Sequence, residues 1–395
     1  MIKVKSNITL PEIERLYTSL EECQKNEKKI DLKLPKKIQH SDIGILFSLI
    51  QFVSKWIRSE KSGDLHLPLE NKNEYKDYVF QDFVYPTIVL CWEKNILDSS
   101  GNNIRKYLKE PSQEYFQKME FFRLPKGVLS VPVYCFDHDI SKRGYSRIFY
   151  NPERNVVAEE TLDFNLYPAF EKISTSVNRS VFSSSIQPYL EEFVGIIHEL
   201  FINTDEHAKT DEYGSNLYPN IRGLYLKFHK RKIDSYKETF ANQEGLLNYF
   251  NSDFKLNNNN ELYLLEISVI DSGPGLVKRY SKKKELDMSL SKEVDIVKEC
   301  LYEHNTSTTG PKKGVKGLGL ARVMKTIDGK GFLRIKSGRV DLFRDMKKHR
   351  YSDYKSSSEI ELFDFNTNSD KKFLELPETS GSLITIVYPL EFLSQ

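Results

Sequence analysis

Glu199, Asn203 and His207 recur at four-residue intervals in the segment HELFINTDEHAK, His198 to Lys209. Four residues is slightly more than one helical turn, so on a helix a carboxylate, an amide and an imidazole rise from one face. Such a row fits two descriptions. In one it is a solvated stripe on an amphipathic helix. In the other Asn203 offers a neutral oxygen to Mg²⁺, which prefers oxygen ligands and keeps several waters. Glu199, one turn earlier, then orients or deprotonates a water beside the metal.

Two further stretches carry chemistry. VIDSGPG ends an apolar run with Asp271, Gly273 and Gly275. A carboxylate at the end of a buried strand can accept from an exocyclic amine such as that of adenine, and the glycines after it let backbone approach a flat ring. Alone, a D-x-G-x-G turn after a strand is ordinary. GVKGLGL places Gly314, Lys316, Gly317, Leu318, Gly319 and Leu320 where a helix begins. Amide N–H groups and the helix dipole at such a start suit phosphate. No G-x-x-x-x-G-K-[ST] loop competes with it.

Taken in this order, ELFIN, VIDSGPG and GVKGLGL resemble the N, G1 and G2 boxes of the GHKL ATPase superfamily, which includes gyrase, heat-shock chaperones of the ninety-kilodalton class, histidine kinases and mismatch-repair ATPases. TSGSLITIVYPL is similar to the closing strand of that fold, with Gly381-Ser382 where a Gly-Thr pair usually stands. The resemblance covers about Ser185 to Gln395. It implies an α/β sandwich, with helices on one face of a mostly antiparallel sheet. It also implies ATP and Mg²⁺ as ligands. Asp271 would bind the adenine amine with Ser382 assisting through water, and Gly273 and Gly275 would pass near the base. Asn203 would hold the metal, and the backbone from Lys316 to Leu320 the phosphates. A lid would span about 278–316, in which Ser307, Thr308, Lys312 and Lys313 are candidate phosphate contacts. His207 is either on the phosphate side or an ordinary packed histidine. NTDEHA resembles the N-x-x-x-H-A of anti-sigma serine kinases and some sensor kinases, and Glu206 stands where many histidine kinases carry lysine.

A Glu four residues before the Asn is the pattern of members that hydrolyse ATP or phosphorylate serine. Glu199 is therefore the expected catalytic residue, in an ATPase whose nucleotide state orders the lid to switch the N-terminal domain or a partner protein. The alternative is a protein kinase of the anti-sigma or histidine type acting on a separate protein. A third possibility is an ATP-sensing module without turnover. His40 begins an apolar helix, but a whole α/β domain intervenes before Asn203, which argues against it as phosphoacceptor. The resemblance allows a homodimer, although no heptad or strand-swap arm shows.

These residues need elements to position them. Pro188 stands near the start of a helix reaching about Lys209, with Ile186, Leu190, Phe193, Val194, Ile197 and Phe201 apolar. RGLYLKFHK, ELYLLEISVID, GFLRIKSG and GSLITIVYPL read as strands, KEVDIVKECLYEH as a helix, and the polar insertion with Asn257 to Asn260 as a loop. Upstream, LPEIERLYTSLEEC is helical, KIDLKLP and GDLHLPL are strands around an apolar helix from about Asp42 to Ser59, and a helix kinked near Pro86 covers Tyr78 to Lys94. GVLSVPVYCF is a further strand. The chain divides on this basis into a small α/β domain over 1–150, faintly STAS-like, a Ser- and Asn-rich linker over 151–185, and the ATP-binding domain over 186–395. The fold class expected is α+β.

The chain of 395 residues carries a net charge of +2, so nothing global points to nucleic acid. Lys278, Arg279, Lys282, Lys283 and Lys284 read as a solvated loop. Cys23, Cys91, Cys135 and Cys300 form no C-x-x-C pair, so reduced thiols are expected rather than zinc or disulfides. The longest apolar run, Ile43 to Val53, is short of the roughly 20 residues that span a bilayer. The N-terminus lacks a signal-peptide core. A cytoplasmic protein without membrane contact is expected.

Overall fold

A computed structural model of the chain describes residues 1–39, 42–125, 129–139, 144–175, 179–282, 287–302 and 319–391. Strands β1 (Ile2–Lys3), β2 (Ile30–Lys33), β3 (Ser62–His66) and β4 (Ile96–Leu97) pair in parallel in that order. Between and after them run α1 (Leu10–Lys25), α2 (Ile45–Ile57), α3 (Tyr75–Val79), α4 (Val84–Leu90) and α5 (Arg105–Glu120). A second sheet is antiparallel throughout. It holds β5 (Ser130–Cys135), β6 (Arg222–Lys232), β7 (Glu261–Asp271), β8 (Phe332–Ser337), β9 (Val340–Asp345), β10 (Phe363–Asp364) and β11 (Ser382–Pro389). Their spatial order is β10-β9-β8-β11-β7-β6-β5. The other helices are α6 (Glu159–Thr175), α7 (Arg179–Val181), α8 (Leu190–His207), α9 (Ile233–Thr239), α10 (Glu244–Phe250), α11 (Leu276–Ser281), α12 (Leu290–Leu301) and α13 (Gly319–Thr326). The chain is thus mixed α+β. Among the described residues no helix is long and apolar enough to cross a membrane, and all four cysteines are free.

Side chains alternate between the faces of the seven-stranded sheet. One face presents Leu224, Leu226 and Phe228 of β6, Ile267 and Val269 of β7, and Ile384 and Ile386 of β11, all buried. Helix α8 packs there. Its Phe193 lies edge-on to Tyr388 of β11, and α6 and α13 pack against α8 in turn.

The opposite face is the departure from an open sandwich. Every residue of α2 except Lys55 is buried. A largely apolar helix buried all round cannot rest at a surface, and α2 lies between the two sheets, touching β3 on one side and β7 and β11 on the other. Phe47 packs on Tyr134 and Tyr225. This covered face is polar. Glu266 accepts from the Gly44 N–H at 3.0 Å and from Ser268 Oγ at 3.0 Å, and lies 2.7 Å from His229 Nε2. Burial holds His229 down to about 4 despite Glu266.

Several expected elements differ. The segment 151–185 is not a plain linker, because α6 buries Leu162, Leu166, Ala169, Phe170 and Ile173 at helical spacing. The single helix expected over Tyr78 to Lys94 is two, α3 and α4. Pro86 falls in the first turn of α4, where its missing N–H removes no helical bond. The polar insertion after β6 folds as α9 and α10 before reaching its Asn-rich turn. The front of the segment expected as a lid is α11 and α12, and α12 buries Val294, Ile296, Val297 and Leu301.

Candidate functional site

The register of the sheet lines up one row across five strands: Cys135, Arg222, Asp271, Ser382 and Ser337. Asp271 therefore ends β7 with Arg222 on one side and Ser382 on the other, on the face that carries α8. Asp271 is 9 % exposed as a residue, and its carboxylate accepts from the Gly273 N–H at 2.8 Å. Burial pushes its carboxyl up to about 6, against the opposing pull of the Gly273 and Ser382 N–H groups and of Arg222 and Arg58.

Two glycines draw the motifs together. A Cβ on Gly273 would stand 2.7 Å from the Ala208 Cα, so only glycine lets the turn after β7 press on the end of α8. That contact brings Asp271 to the helix that carries Glu199, Asn203 and His207. Gly381 has φ +69°, and a Cβ there would meet the Asp271 carbonyl oxygen at 2.0 Å. The entry into β11 can approach β7 only without a side chain. Ser337 finishes the stitching: its Oγ accepts from the Leu276 N–H at 2.9 Å and lies 3.1 Å from Ser382 Oγ. Glu199, Asn203 and His207 are half-buried along α8. The His207 Nε2 is 3.9 Å from a Glu206 oxygen.

The glycine loop before α13 is only partly in view. Gly319 opens the helix and Leu320 is buried. Ser307, Thr308, Lys312, Lys313, Gly314, Lys316, Gly317 and Leu318 lie outside the described residues, as do His40, Lys283 and Lys284. Two other members of the basic cluster are engaged within the chain. Arg279 donates to Thr210 Oγ1 and the Asp211 carbonyl, both at 3.2 Å, and Lys278 pairs with Glu378. Among the described residues no group of three or more His, Cys, Asp or Glu is arranged for a metal ion. A magnesium ion at Asn203 would therefore need oxygens from water and phosphate, which is that ion's ordinary habit.

Sequence reasoning overlooked the charged residues in and around this row. Arg222 is fully buried and forks onto Asp137, with Nη2 2.6 Å from Oδ1 and Nε 2.9 Å from Oδ2. It also reaches Asp205 at 3.3 Å, which Tyr150 and Lys209 share. A signal existed: Arg222 stands in phase with Leu224, Leu226 and Phe228, a cation on the apolar side of a strand. Arg58 comes from the end of α2, donating to the Pro219 carbonyl at 2.7 Å, to Ser272 Oγ at 3.0 Å and to the Ser272 carbonyl. Asn220 completes the frame by donating to the Ala208 carbonyl at 2.9 Å and accepting from Ser272 Oγ at 2.6 Å. The N-terminal half thus holds the backbone immediately after Asp271.

Replacing Arg222 by Met should cost about 3 kcal/mol of folding stability, since it leaves Asp137 and Asp205 without their buried counter-charge. Guanidinium denaturation of the two proteins measures this, and equal midpoints would refute it. Compared with protein-family models, curated proteins and solved structures, the chain matches none.

Proposed function

We propose that the chain binds ATP with Mg²⁺ where α8 meets the seven-stranded sheet and hydrolyses it, the nucleotide state acting on the N-terminal half or on a partner protein. The observation that carries this reading is the pressing of Gly273 on Ala208. It joins a buried carboxylate at a strand end to a helix bearing an amide and a carboxylate one turn apart. These are the groups wanted for an adenine amine, a metal ion and a water. The GHKL-like order of the motifs supports the same reading. Asp271 accepts from the base, Asn203 holds magnesium through its side-chain oxygen, and Glu199 takes a proton from the attacking water. The bound ion would supply neutralisation of phosphate charge. The bonds from Arg58 to Ser272 and Pro219 offer a route by which occupancy of the base site reaches α2.

Calorimetric titration with ATP and MgCl₂, followed by incubation with γ-labelled ATP, tests this. Binding heat and free labelled phosphate are expected. Label retained on a protein would instead make the chain a kinase. Absence of heat and of any thermal shift would remove the nucleotide altogether.

A further inference from the structure

Arg322 lies across α8, close to the start of its own helix, α13. Its guanidinium forks onto Glu159 in the first turn of α6, with Nη1 to Oε2 and Nη2 to Oε1 both at 2.6 Å. The same Nη1 is 3.8 Å from Glu199 Oε1, beyond hydrogen-bond reach. Gly195 provides the space: a Cβ there would stand 2.1 Å from Arg322 Nη2 and 2.9 Å from Glu159 Oε1. Gly195 precedes Glu199 by the four-residue step that separates Glu199, Asn203 and His207. A helix-interior glycine is less favourable than alanine, and α8 carries one where the guanidinium lies. His198 also approaches Glu159, its Nδ1 3.9 Å from Oε2. Glu192 also faces the guanidinium.

We infer that Glu159 is a positioning residue that holds the Arg322 guanidinium off Glu199 and so leaves the Glu199 carboxylate available to accept a proton. The inference rests on the reading of Glu199 as the base in ATP hydrolysis. In that step water gives a proton to the Glu199 carboxylate as its oxygen bonds to the γ-phosphorus. The bond from phosphorus to the bridging oxygen breaks, ADP leaves with the electron pair, and Glu199 then yields the proton to solvent. A guanidinium fully engaged on Glu199 would stabilise the carboxylate and make it a poorer proton acceptor. A fork aligned on one carboxylate cannot be bidentate to a second. With Glu159 neutralised, Glu199 becomes the acceptor within reach.

The test compares kcat, ATP affinity and melting temperature for the parent, Glu159→Gln, Arg322→Met, the double variant and Glu199→Gln. Glu159→Gln should bind ATP as the parent does and turn over about five- to tenfold more slowly, because a carboxylate engaged by the guanidinium accepts a proton less readily. Adding Arg322→Met should recover most of that loss, whereas a purely structural ion pair gives a double variant no faster than Glu159→Gln. Parental kcat in Glu159→Gln, or no recovery in the double variant, overturns the inference. Should Glu159→Gln fail to fold, Glu159→Asp keeps the charge but retracts it, and a smaller loss with the same recovery is expected. Glu199→Gln separates the two levels: normal turnover there removes the base itself, whereas a dead Glu199→Gln beside a normal Glu159→Gln removes only the role of Glu159.

Discussion

Asp271→Asn should lose ATP affinity by roughly 10³- to 10⁴-fold while the nucleotide-free protein becomes more stable at pH 8. The first effect follows from the chemistry of the acceptor. A buried amine donor that meets a carboxylate in the parent meets a neutral amide in the variant, and a site built around one hydrogen bond discriminates strongly against its absence. The second follows from burial. The folded protein holds the Asp271 carboxyl at about 6 against an ordinary 3.8. The folded state therefore binds this proton more tightly than the unfolded state. Its contribution to stability is most favourable below the unfolded value and is lost as pH rises through about 6. Above that pH the ionised, buried carboxylate costs the empty protein on the order of 1–3 kcal/mol. An asparagine can still accept from the Gly273 N–H without that cost. Melting of the two empty proteins at pH 8 and pH 5 should show the variant higher at pH 8 and the gap narrowing at pH 5. Nucleotide affinity of the parent should fall as pH drops below about 6, where Asp271 takes up a proton and becomes a weaker, neutral acceptor. A variant that binds ATP normally would show that Asp271 does not touch the base.

The parts of this arrangement legible in the sequence were those written locally. The four-residue row is a property of one helix, and it placed Glu199, Asn203 and His207 on α8. The long apolar strands β7 and β11 were equally plain, because burial on both faces leaves near-continuous apolar runs. Elements whose apolar signal is diluted were missed. β9 reads VDLFRD, with Asp341 and Arg344 inside it, and it is a strand because Arg334 on β8 forks onto Asp341 at 2.9 and 2.6 Å. Charge pairing there is satisfied by a neighbour that local periodicity does not reveal. Partners that meet only through topology were missed for the same reason. Arg58 and Ser272 are bonded across more than half the chain, and Glu159 and Arg322 across a separation of 163 residues. The helix α6 illustrates both limits: its apolar spacing was present, but the Ser-rich stretch after it suggested a linker. The resemblance of the motifs implied a sheet with one open face. The apolar run at Ile43 to Val53 carried the opposite message, because a helix buried on all sides needs a layer on each side of it.

Glu199→Ala should leave ATP affinity within a few-fold of the parent and lower kcat by roughly 10²- to 10⁴-fold, the usual contribution of a positioned general base. Affinity is spared because Asp271, through the contact of Gly273 with Ala208, sits at the far end of α8 from Arg322, the residue that Glu199 faces. Folding is also spared. The Glu199 side chain is 28 % exposed and its ion pair with Arg322 is a loose 3.8 Å, so an exposed pair of this kind contributes at most about 1 kcal/mol. The two variants should therefore divide the site cleanly. Asp271→Asn loses binding, and Glu199→Ala loses the chemical step with binding intact, so its loss falls equally on kcat and kcat/KM. Single-turnover measurements at saturating ATP distinguish this from slowed product release. If Glu199→Ala hydrolysed ATP at the parental rate, the water would have to be activated elsewhere. The alignment of Glu199 with Asn203 would then be the solvated helix face that the sequence equally allowed.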